Sequence, residues 1–170
     1  MSDACTLFCK QQLFSTVVSI AQEFFDAVTI EPAPHEWSAI TIAGHDWELR
    51  LTSKIYHGNG PDEFTRLQFS TYMWADNIES ENQAQKETLL STIEHCELAI
   101  GVVAQPGFEA HEKIEPFLLE VVRQLDGVLF NGHAMLDFFG EMLLEKRRRR
   151  SAHGSPSFLS TREPGRGRWM

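Results

Sequence analysis

The sequence predicts an α+β domain, a mixed sheet with helices packed on it. Three observations predict it. Residues 98–104 form an apolar run without alternation, which suits a strand covered on both faces. A helical stripe follows, then a second apolar run from Val128 to Phe130, the order of a β-α-β crossover between parallel strands. Upstream, two alternating runs flank Ala43-Gly44 and read as an antiparallel hairpin. The expected sheet is therefore antiparallel in its N-terminal half and closed by a parallel crossover in its C-terminal half.

Leu13, Val17, Ile20 and Phe24 recur at helical spacing, so residues 6–28 read as one amphipathic helix. Cys5 and Cys9 lie one turn apart at its start, too few thiols for a zinc site. Glu31-Pro32-Ala33-Pro34 reads as a linker, because proline ends a helix and extends its predecessor. The hairpin arms run over 37–42 and 46–55, with Trp47, Leu49 and Leu51 on one face. Each arm opens alike, His35-Glu36-Trp37 and His45-Asp46-Trp47. This is either a pair of His-acid sites or, more simply, the chemistry of half-buried strand ends.

Residues 57–62, His-Gly-Asn-Gly-Pro-Asp, read as a turn. Leu67, Phe69, Thr71 and Met73 alternate with polar neighbours, so residues 64–74 read as a third strand. Ser80 and Gln83 have capping-box spacing. A surface helix over 81–95 follows, with Leu89, Leu90 and Ile93 inward and Lys86 in a solvated ion pair. His95 and Cys96 are adjacent at the start of the central strand, where they would point to opposite faces. Pro106-Gly107 ends that strand. Pro116 belongs in the first turn of the next helix, and Asp126-Gly127 closes it. Residues 134–145 fit either a helix or two short strands around Gly140. The tight turn at Asp137–Gly140 favours the strands.

The charge is divided. The chain of 170 residues carries −9 in total. Residues 1–145 hold seven basic against 23 acidic side chains, a net −16, whereas residues 146–170 hold eight basic against one acidic, a net +7. The domain assignment is accordingly one α+β domain, 1–145, and a basic tail, 146–170, too poor in aliphatic residues to fold alone. An acidic body argues against a nucleic-acid-binding face there, because phosphate binding needs a basic patch. Nucleic acid or an anionic membrane surface is left to the tail, which can equally fold back on the acidic body. Three cysteines without a secretory leader point to the cytoplasm.

Catalytic signatures are missing: no GxSxG elbow, Walker loop, HExxH, GxGxxG or zinc spacing occurs. No cofactor and no metal is expected. The segment 101–137, with its GVVA-x-PGF turn and LDG-x-x-FNG-x-x-MLD run, resembles the later half of small bacterial proteins of unknown function. The matched residues are packing and turn residues, so the resemblance implies no activity.

Two functional expectations follow. The first is a non-enzymatic interaction protein, of inhibitor or immunity type, whose acidic surface binds a cationic partner. Its contact residues are Asp76, Glu79 and Glu81, with Trp74 as the aromatic anchor. The alternative is a small enzyme with a pocket at the strand ends, 105–108 and 131–133. Its acid/base work would fall to some of Asp76, Glu79, His111 and His133.

Overall fold

A computed structural model describes residues 2–33, 36–55, 62–137 and 140–145. The elements in chain order are β1 (Asp3–Cys9), α1 (Phe14–Phe24), β2 (Val28–Ala33), β3 (Glu36–Ala43), β4 (Glu48–Ile55), α2 (Glu63–Asp76), α3 (Gln83–Glu94), β5 (Leu98–Gln105), a 3-10 turn at Phe108–Ala110, α4 (Ile114–Gln124), β6 (Gly127–Phe130), β7 (Ala134–Leu136) and β8 (Met142–Glu145). The strands form one sheet, ordered β2-β3-β4-β5-β1-β6-β7-β8.

Among the described residues every pairing is antiparallel. This corrects the expected parallel crossover. The segment β5-α4-β6 does connect two strands that run the same way, but they never pair. β1 lies between them, with Thr6 opposite Gly101 on one side and Phe130 on the other. Seven residues at the start of the chain thus take the backbone hydrogen bonds that a parallel pair would have made.

The same strand corrects the predicted helix over 6–28, which is β1 followed by the shorter α1. Cys5, Leu7 and Cys9 face one side, and Phe8 faces the other. This period-2 burial holds only because both flanking strands exist. Of the expected linker, residues 31–33 are likewise part of a strand, and Pro34 lies outside the described residues. β2 is an edge strand with a register shift at Glu31/Pro32, where a residue without an N–H is tolerated.

The largest correction is α2, a helix where alternation predicted a strand. Asp62 caps it by accepting from the Thr65 amide at 2.8 Å. Its buried residues, Phe64, Thr71 and Ala75, recur at spacings of seven and four, the period of one helix face. The cap of α3 is Asn82, which accepts from the Gln85 amide at 3.0 Å, in place of Ser80. The two strands favoured for 134–145 are present as β7 and β8. The glycine turn at 57–61 and the basic tail at 146–170 lie outside the described residues.

Helices cover the sheet from both sides. α1 and α4 bury Val17, Ile20, Phe117, Leu118 and Val121 against Leu7, Leu49, Leu51, Ile100 and Val102. α2 and α3 bury Phe64, Leu89 and Ile93 against Phe8, Ala99, Val128, Met135 and Leu144. The second cover is incomplete. Val102 is 1% exposed but Val103, its neighbour on the opposite face, is 40% exposed. The central strand is therefore not buried on both faces along its whole length. Around Val103 the α2/α3 side presents Ala4, Arg50 and Thr52 to solvent. Arg50 there pairs with Glu31 at 3.0 Å.

Candidate functional site

The four residues expected to bind a partner lie on α2 and on the loop that joins it to α3. Asp76, Glu79 and Glu81 are exposed. Trp74 is not a free anchor, since it is half-buried with its ring 4.7 Å from that of Phe130. The loop is held from behind by Lys86. Its ammonium donates to the carbonyls of Asp76 at 2.7 Å and Ile78 at 2.6 Å. The predicted solvated ion pair is corrected: Lys86 is 8% exposed. Three donors on a compact head suit a site where two chain carbonyls converge.

This inward lysine decides the electrostatics of the layer. Residues 62–97 contain eight carboxylates against Arg66 and Lys86 alone. With Lys86 turned inside, Glu63, Asp76, Glu79, Glu81, Glu87, Glu94 and Glu97 remain exposed. The only cation left outside on these helices is Arg66.

The helix also displays residues that the strand reading had hidden. Phe69 is 65% exposed and Met73 39% exposed. With Arg66 and Asp76 they follow one stripe along α2 at helical spacing. The available signal was the N-cap pattern, Asp62 three residues before Thr65.

The strand-end alternative divides differently. The C-terminal ends of β5 and β6 do lie at one end of the sheet, flanking the start of β1. There the carboxylate of Asp3 accepts from the Phe108 amide at 3.1 Å, which ties the 105–108 turn to the first strand. Asn131 accepts from the amides of His133 at 2.9 Å and Ala134 at 2.8 Å, so its side chain shapes a turn. His111 packs against Trp47 and Phe25, ring centroids 4.9 and 6.0 Å away. Its Nδ1 accepts from the Lys113 amide at 3.1 Å. Those rings belong to the α1/α4 side, whereas Asp76 and Glu79 sit with α2 and α3. The sheet separates His111 from Asp76 and Glu79.

Near His111, a hollow of about 700 Å³ is lined by Ser2, Gly44, His45, Asp46, Trp47, Gln105 and Pro106, among others. Every lining residue except the half-buried Trp47 is exposed, so the hollow does not withdraw a bound group from water. Of the repeated His-acid-Trp pair, Trp37 is buried, with its indole N–H on the Phe14 carbonyl at 2.9 Å. Burial pushes the Cys5 and Cys9 thiols far up and the Cys96 thiol up to about 12. All three stay protonated and are poor nucleophiles. Among the described residues no three or more His, Cys, Asp or Glu side chains are placed to hold a metal ion. No helix among them is long and apolar enough to cross a membrane.

No protein-family model, curated protein or solved structure matches the chain.

Proposed function

We propose that this protein is a non-enzymatic interaction protein whose α2–α3 layer binds a basic protein partner, as an inhibitor or immunity-type protein does. One observation carries the reading: the layer's lysine is spent on its own backbone, leaving seven exposed carboxylates beside an exposed aromatic. Charge of one sign on one layer steers a cationic partner. A desolvated aromatic supplies affinity once the two have met. That role passes from Trp74 to Phe69. The strand-end enzyme loses support because His111 lies on the opposite face of the sheet from Asp76 and Glu79. A reducing cytoplasm suits three unpaired thiols.

The test is association kinetics with a basic protein captured from the native host at low salt. The variant Asp76→Lys, Glu79→Lys, Glu81→Lys is expected to associate roughly tenfold more slowly and with a flatter salt dependence. Wild-type rates for that variant at every salt concentration would end this reading.

A further inference from the structure

The acidic layer surrounds an apolar stripe that nothing in the described structure covers. Phe69 and Met73 stand on it, one turn apart on α2 and 65% and 39% exposed. We propose that the stripe is occupied by residues 146–170 of this same chain, which lie across α2 and α3 and compete with an outside partner. The proposal rests on the reading of this layer as a site for basic segments, and adds that the chain supplies its own.

Position supports it first. β8 ends at Glu145 against this layer, because Leu144 is buried in one cluster with Phe64, Leu89 and Ile93. The basic segment therefore begins at the rim of the acidic surface. Length is sufficient. The stretch from Lys146 to Phe158 can span about 40 Å when extended, whereas α2 is about 21 Å long.

Chemistry matches as well. Eight basic side chains, four of them consecutive at Arg147 to Arg150, meet a layer whose exposed charges are nearly all carboxylates. Arginine pairs with carboxylates bidentately, which gives direction as well as charge. Phe158-Leu159 is the aromatic-aliphatic pair nearest the arginine run, and it suits the Phe69–Met73 stripe. A tethered segment also acts at an effective concentration of order millimolar, so weak contacts suffice.

The full chain tests this, with a nitroxide on Ser157→Cys. The three native thiols are buried and held protonated, so the label goes to the new one. At low salt the amides of residues 66–76 are expected to broaden. The broadening is expected to vanish at high salt and in the variant Arg147→Gln, Arg148→Gln, Arg149→Gln, Arg150→Gln. Broadening that is absent, or centred elsewhere, overturns the proposal. Broadening that survives with label and isotope on separate molecules assigns the contact to a second copy and overturns the intramolecular form.

A second arm uses an oligolysine peptide as probe. The four-glutamine variant is expected to bind it about tenfold more tightly than the parent chain, since the internal competitor is weakened. If neither chain binds oligolysine, the acidic-layer reading itself fails. If both bind it equally and residues 66–76 never broaden, only the self-occupation fails.

Discussion

The ammonium of Lys86 donates to the main-chain carbonyl of Asp76 at 2.7 Å, one turn into the following helix. With its second bond to Ile78, it sets the conformation of the acidic loop from inside. Replacing it with methionine keeps the stem but leaves two carbonyls without their charged donor. Hydrogen bonds to charged groups contribute about 1.5–3 kcal/mol each way of counting, so Lys86→Met is expected to cost about 2 kcal/mol by urea unfolding. Amide exchange in residues 77–82 should accelerate with it. A cost under about 0.5 kcal/mol would mean that water replaces the ammonium without loss.

The two valines of the central strand separate its faces. Val102→Asp places a carboxylate in the α1/α4 core, where burial without a partner costs several kcal/mol. That variant is expected to be insoluble or unfolded. Val103→Asp points to the open side and is expected to change stability by less than about 1 kcal/mol. Equal damage from both, measured by thermal melting, would show that the α2/α3 side is closed over Val103.

Two glycines answer to different constraints. A Cβ on Gly127 would clash with the Phe8 carbonyl oxygen, a backbone atom that cannot swing away. Gly127→Ala is expected to push β6 off β1 and to destabilise by more than about 2 kcal/mol. Gly132 has open space around its Cβ position but a φ of +93°. Gly132→Ala should therefore cost only about 1 kcal/mol, as backbone strain. The reverse order in chemical denaturation would refute both accounts.

Glu115 gives a pH dependence. Burial, and secondarily the charge of Glu109, raise its carboxyl above the ordinary value. The folded state therefore holds this proton to higher pH than the unfolded state does. Stability from the group is present below the unfolded value and is lost as pH rises through the folded one. Relative to Glu115→Gln, the wild type should gain stability as pH falls from about 7 to about 4. The gain should stay under about 1 kcal/mol, because the side chain is half-exposed and water screens it. A difference that is flat, or that moves the other way in melting scans across this range, would place Glu115 in solvent.

By itself the sequence determined the α+β class, the hairpin of β3 and β4, and the helices α3 and α4, and it favoured, without deciding, the short strands after Asn131. Each is specified by local chemistry: alternation around Ala43-Gly44, an apolar stripe ending at Asp126-Gly127, a tight turn before Gly140. The division of charge between an acidic body and a basic tail was equally legible, since it needs no coordinates. Tertiary structure alone decided the rest. Residues 3–9 became a central strand because β5 and β6 offered open backbone on both sides, a partnership no local window contains. Residues 64–74 alternate as a strand should, yet the cap at Asp62 and the burial of Phe64, Thr71 and Ala75 on the sheet made a helix. That one change of period turned Phe69 and Met73 outward and Trp74 onto Phe130. Lys86 went inward for a similar reason, because two carbonyls converge on it only after α2 and α3 have packed.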